Sequence, residues 1–166
     1  KEGCGTCCEH FNPDITPLES DYLAYGLILE GRDSDVLKLL HSESENPGGC
    51  PLYRKNSVFH CSVYKWRPMI CRLFGASAVT AKDGHAAFRN CKWNTGTKEV
   101  SSSALEKNRD SVVIMGDYGR ELNENQPGET DTLPLAQALE NSIYKIRFLL
   151  MLKSYDETPA PEPQAS

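Results

Sequence analysis

Three thiols stand within five residues of one another near the start of the chain, Cys4, Cys7 and Cys8 in "CGTCC", and four more follow at Cys50, Cys61, Cys71 and Cys91. Two intervening residues let the sulfurs of Cys4 and Cys7 reach one metal, and Gly5 permits the tight turn that brings backbone N–H groups toward thiolates. Cys8 adds a third thiol aimed elsewhere. A C-x-x-C alone also marks redox pairs. The weight comes from the four distant cysteines, which a short chain can bring to the same place. Cys4, Cys7, Cys8, Cys50, Cys61, Cys71 and Cys91 are therefore the candidate metal ligands.

A disulfide framework fits less well. Seven is odd, neighbouring Cys7 and Cys8 do not easily bridge each other, and seven cysteines in 166 residues fall below the roughly 8–10% of a secreted disulfide scaffold. All-thiolate ligation suits zinc and iron–sulfur clusters alike. Six or seven thiols exceed one four-cysteine zinc site, so an iron–sulfur cluster is preferred over zinc, while two zinc ions sharing thiolates also fit. His10 and His60 lie close to cysteines, but on a hairpin His60 and Cys61 would point to opposite faces. Surface or hydrogen-bonded roles suit these two better, and His41 and His85 are further still from any ligand spacing.

Between residues 50 and 98 there are nine basic residues against a single acid, Asp83, in a chain whose net charge is −5. Clustered thiolates carry excess negative charge, and nearby cations offset it. Arg67 and Arg72 flank Pro68 and Cys71, which makes them the candidate cofactor-binding residues, because guanidinium can hydrogen-bond a thiolate or an anionic ligand. The competing reading is a zinc-stapled nucleic-acid-binding module, motivated by the basic stretch interleaved with Tyr53, Tyr64, Trp66, Phe74 and Trp93. Overall acidity stands against it. No arrangement supports Cys and His as nucleophile and base, and whether the protein is an enzyme is not readable.

The elements that must position these groups are mostly helical. "TPLESDYLAYGLILEG" opens with a Thr16-x-x-Glu19 capping box, places Pro17 at the first helical position, and repeats Leu18, Tyr22, Tyr25 and Leu29 at helical spacing before Gly31. A shorter helix is predicted in "SDVLKLLHS", ended by Pro47, Gly48 and Gly49. Two β-prone runs around Lys55-Asn56-Ser57 predict a small hairpin with Cys50 and Cys61 on its arms. Arg67-Pro68 makes a turn into a short helical or irregular piece carrying Cys71, and Cys91 falls in a loop. "SVVIM" reads as a strand or as part of a helix from Ser103. Thr132 and Pro134 mark the start of a last helix whose stripe is Leu139, Ile143, Ile146 and Leu150. The length allows one domain with a real core. The expected architecture is a mainly α single domain with a small β-hairpin, stapled by a cysteine-ligated metal site. Residues 1–100 would form the cysteine-cluster region, 101–155 a helical region packed on it, and 156–166 a disordered tail.

"CGTCC", then "GGCPLY", then "CSVYKWRPMICRLFG" resemble the YkgJ-type cysteine-cluster family, described as a zinc- or iron-chelating domain. That family's pattern is C-x₂₋₃-C-x-x-C-C, then C-P, then C-x-x-Y-x-x-R-P-x-x-C-R-x-[FY]; here Tyr64, Arg67-Pro68 and Cys71-Arg72 match its specific second half over roughly residues 4–75. The resemblance implies metal chelation, with the family's cysteines falling on Cys4, Cys7, Cys8, Cys50, Cys61 and Cys71. Cys91 lies beyond the matched block. The family's first cysteine would fall at Lys1 or before it, and the chain starts at Lys1 without a methionine, which leaves room for a preceding segment. A related motif resembles part of flagellin lysine N-methylases, but the chain is too short for their remaining regions. No apolar run reaches membrane-spanning length, so the expectation is a cytoplasmic protein whose partner is a metal ion or cluster, with no membrane and no nucleic acid.

Overall fold

The computed structural model describes residues 4–42, 46–88, 91, 100–126, 128 and 131–156. The fold is mainly helical with two small two-stranded antiparallel sheets among the described residues. Its spine is the pair formed by α2 (Pro17–Leu29) and α7 (Leu135–Asp156). The capping box forms as the sequence predicts. Thr16 Oγ1 accepts the Glu19 N–H at 3.3 Å, Glu19 Oε2 accepts the Thr16 N–H at 3.0 Å, and Gly31 follows the helix at φ 65°. The recurrence that signals α2 is not the face the core uses. Tyr22, Tyr25 and Leu29 are exposed, whereas Leu23, Ala24 and Leu27 are buried against Leu135, Leu139 and Ile143 of α7. Each such large aliphatic side chain removed from water is worth about 1.5–3 kcal/mol. The seam also carries polar pairs: Ser20 and Ser142 hydroxyls lie 2.8 Å apart, and Ser142 and Lys145 both donate to Asp21.

The chain before α2 holds α1 (Thr6–His10) and β1 (Asp14–Ile15). β1 pairs antiparallel with β4 (Leu133–Pro134), Ile15 opposite Leu133. Pro134 thus precedes α7 in a strand, with Thr132 just before that strand. Helix α3 (Asp33–His41) returns along α7, held by Arg147 Nε to Asp33 at 2.6 Å and His41 Nε2 to Glu140 at 2.9 Å. In α7 the expected stripe is buried as far as Ile146, which is half-buried, and then leaves the body, since Leu150 is exposed.

The reversal predicted around Lys55-Asn56-Ser57 occurs, but it is no ladder. It pairs through one bridge, Tyr53 with Cys61, and the backbone is otherwise spent on turns such as Ser57 N–H to Arg54 O and His60 N–H to Ser57 O. His60 sits at φ 51°, which a regular strand does not allow. The sheet of three pairs lies later, between β2 (Ala78–Thr80) and β3 (Ala86–Phe88), around Gly84 at φ 85°. Between that reversal and this sheet the short α4 (Met69–Leu73) carries Cys71, the helical one of the two forms the sequence allows. Beyond it, β2 and β3 join α5 (Ser102–Lys107) and α6 (Met115–Glu124) around a small core of their own: Ala78, Ala86, Leu105 and Ile114. The ambiguous stretch divides. Ser102 starts a helix, and Ile114 bridges Ala78 in parallel before α6 begins. The tail beyond Asp156, and Arg89, Lys92, Trp93 and Lys98 of the basic stretch, lie outside the described residues. No helix among the described residues is long and apolar enough to cross a membrane.

Candidate metal centre

Cys4, Cys7, Cys8, Cys50, Cys61 and Cys71 all line one cavity of about 210 Å³. Three pieces of chain supply them, and each is held by a specific local device. At the N-terminus, Gly5 turns at φ 64° and caps α1, so that Cys7 and Cys8 fall in its first turn. A Cβ on Gly5 would lie 2.4 Å from the His60 Cβ, so both the turn and the approach of the 50–61 reversal require glycine. The second piece docks on α1 through backbone. Cys50 N–H donates to Cys8 O at 2.8 Å, Asn46 Nδ2 donates to the same oxygen at 3.1 Å, and the Tyr53 hydroxyl donates to Glu9 Oε1 at 2.5 Å. Gly49 permits this contact, since an added Cβ would meet the Cys8 and Glu9 carbonyl oxygens at 2.7 and 2.6 Å.

The third piece depends on Glu19. Its Oε2 completes the α2 capping box while its Oε1 accepts the N–H groups of Met69 (2.8 Å) and Ile70 (3.4 Å), the first residues of the helix that carries Cys71. One buried carboxylate therefore satisfies the starts of two helices and fixes Cys71 relative to α2. Thr-x-x-Glu predicts the first role. Nothing in the sequence signals the second, because Met69 lies fifty residues further on.

Apolar side chains complete the walls: Leu52, Val63, Ile70, Pro13 and Leu135. Two stacked aromatic pairs, partly exposed, border the opening. Phe11 and Phe74 have ring centroids 5.8 Å apart, and Phe59 and Tyr64 4.2 Å apart. Arg67 lies over the Tyr64 ring, its Cζ 3.8 Å from the centroid, and is the charged side chain of the lining. Residue types in the sequence suggest these aromatics for nucleic acid; the fold uses Tyr64 and Phe74 to wall in thiols.

Arg72 and Cys91 are placed elsewhere. The Arg72 guanidinium is exposed and donates to the backbone carbonyls of Arg67 (2.7 Å) and Lys65 (2.6 Å), so it clasps the turn before α4 and does not line the cavity. Cys91 is outside the lining as well, its Cβ packed near Gly75. His60 stacks on Tyr53 and its Nδ1 lies 3.3 Å from Arg54 O, while Cys61 faces the cavity. Much of the basic stretch is similarly occupied: Lys65 pairs with Glu30 at 2.8 Å, and Arg54 donates to the carbonyls of Pro51 and Tyr53.

The thiols feel one another and their burial. Cys7 is drawn down to about 6, first by the hydrogen bond from Cys8, whose sulfur is 3.9 Å away, with the Arg67 charge helping. Cys8 is pushed up, first by that same bond and then by burial. Burial pushes Cys50 up to about 11 and Cys71 to about 12, and raises Cys61, while Arg67 pulls Cys61 and Cys71 the other way. Buried thiols of this kind ionise when a metal takes the proton's place. Among the described residues no three Cys, His, Asp or Glu side chains are gathered closely enough to hold one ion as they stand. The sulfurs ring a space with room for several water-sized bodies, not a point.

A family model matches residues 1–97, more than half of the chain, and the chain belongs to that family: CxxCxxCC, "Putative zinc- or iron-chelating domain". The match runs on past residue 75 and includes Cys91 within its span. In the spacing that names the family, Lys1 stands where the first cysteine would be, followed by Cys4, Cys7 and Cys8. No curated protein and no solved structure matches the chain.

Proposed function

We propose that this protein holds an iron–sulfur cluster in the cysteine-lined cavity, and that it serves as a redox protein or as the metal-bearing accessory of an enzyme. The observation that carries this reading is the convergence of six cysteines, from three separated stretches, on one cavity. Membership of a zinc- or iron-chelating family supports the metal. Three features favour a cluster over a single zinc: more than four thiols, a space larger than one ion needs, and, among the described residues, a lining without histidine. A cluster would supply one-electron transfer when bound. The chain's own residues would ligate it through Cys7, Cys8, Cys50, Cys61 and Cys71 with Cys4 beside them. Arg67 would offset thiolate charge, and the Phe11–Phe74 and Phe59–Tyr64 pairs would limit access of water.

The basic stretch supports this reading over a phosphate track. Arg54, Lys65 and Arg72 are engaged with carbonyls or with Glu30, and Arg67 faces the thiols. A nucleic-acid surface would present such cations to solvent in a row. The test is anaerobic purification followed by a visible spectrum and assays of iron, acid-labile sulfide and zinc. Broad absorption at about 400 nm with iron and sulfide is expected. Stoichiometric zinc without colour would replace the cluster by zinc, and a protein that takes up neither metal would overturn the reading.

A further inference from the structure

Helix α7 carries one apolar stripe that is covered as far as Ile146 and a second that faces water along its length; beyond Arg147, Leu149 and Leu150 are exposed as well. At about 100° per residue, Leu139, Ile143 and Ile146 form the stripe that packs into the core. Tyr144, Phe148, Met151 and Tyr155 form a second stripe about 140° round the helix, within about 60° of one another. Their spacing of four, three and four residues is that of a coiled-coil seam. Tyr144 is 51% exposed, Phe148 54%, Met151 47% and Tyr155 69%, with Leu152 beside them at 43%. From Phe148 to Tyr155 every side chain is exposed. A run of this composition facing water marks an interaction surface.

We propose that this seam is the interface of a homodimer, formed by α7 packing on α7 of a second copy. The charges flanking the stripe point to a like partner. Lys145 is paired with Asp21 and Arg147 with Asp33 of their own chain. The seam therefore offers little uncommitted charge with which to select an anionic membrane or an unlike charged helix, whereas its aromatic and thioether side chains are self-complementary. Area sets the strength. Taking about 150–200 Å² for a whole side chain of this size, the exposed parts of these five residues amount to about 400–530 Å² per copy. A pair that covers all of it buries about 800–1,050 Å², at the lower limit of a specific interface, so the expected dimer is weak and reversible.

Sedimentation equilibrium on the metal-loaded full chain, from about 2 to 200 µM, tests this. The chain is expected to pass from monomer to dimer over that range. The double substitution Phe148→Glu/Met151→Glu should weaken association more than about tenfold while leaving metal content and thermal unfolding unchanged, because both side chains face away from the core. Tyr155→Lys, at the most exposed position, should weaken it by a smaller factor. A chain that stays monomeric throughout, or a dimer that the double substitution leaves intact, overturns the proposal. So does flotation of the monomer with neutral phosphatidylcholine vesicles in place of self-association.

Discussion

Single residues divide the roles around the thiols. Cys7 and Cys71 come from separate stretches of chain and line the same cavity; the Cys7 charge raises the Cys71 thiol, and Arg67 pulls both down. If one site is shared, Cys7→Ser and Cys71→Ser should each remove most of the bound metal, measured as metal per chain after desalting. Full metal content in either variant would separate the two ends of the chain into different sites. Arg67 and Arg72 make a second comparison. Both stand in the specific motif, and sequence spacing alone gives them the same importance. The structure parts them, because Arg67 lies on the Tyr64 ring facing the cavity and Arg72 holds carbonyls outside it. Arg67→Lys should therefore shift the spectrum or lower metal retention more than Arg72→Lys does, and Lys82→Ala should change neither. Equal effects of the two arginine variants would mean that the 65–67 turn, and not the charge, is what the site needs.

At the scale of elements, α2, α3 and α7 were legible, with the α7 stripe as far as Ile146, whereas α1, α6 and the buried face of α2 were not. Thr16, Pro17, Glu19 and Gly31 are local signals, and they mark α2 to within two residues. Which face of α2 is buried depends on small residues that carry no apolar signal. Ser20 and Ala24 let α7 approach, and Gly26 lets the Trp66 indole lie on the helix, an added Cβ meeting it at 2.1 Å. Gly26→Ala should cost about 1–3 kcal/mol through overpacking, seen as a lower urea midpoint with metal content changed little. The cavity was legible as a set of cysteines and not as a place, because the devices that assemble it span long sequence separations. Glu19 is the main one. Glu19→Ala strands the N–H groups of Thr16, Met69 and Ile70, and should cost about 2–3 kcal/mol while also lowering metal retention, since Cys71 rides on the second of the two helix starts. Loss of stability with metal binding intact would show that α4 holds its place without this cap.

Across the whole molecule the packing falls into two kinds. The α2–α7 pair, with α3 beside it, is joined by buried aliphatic side chains and by the Asp21 and Asp33 ion pairs, although Cys50 shares its core and Leu135 also lines the cavity. Residues 46–74 are different. They contribute Leu52, Tyr53 and Val63 to the core, yet their backbone is mostly turns, one bridge and a helix of five residues, and much of what surrounds them is the cavity itself. Few regular hydrogen bonds and a space in place of side chains leave this segment with little stability of its own. On the proposed reading, metal binding would be folding free energy for the segment, and removal of metal should open it first. Limited proteolysis after chelation should cut within 46–74 at least about tenfold faster than in the loaded protein, while fragments containing α2 and α7 persist. Because the exposed stripe of Tyr144, Phe148, Met151 and Tyr155 lies on the part that survives, the stripped protein should still self-associate with unchanged affinity. An apo protein as resistant through 46–74 as the loaded one would place the stability of that segment in its apolar contacts and not in the thiols.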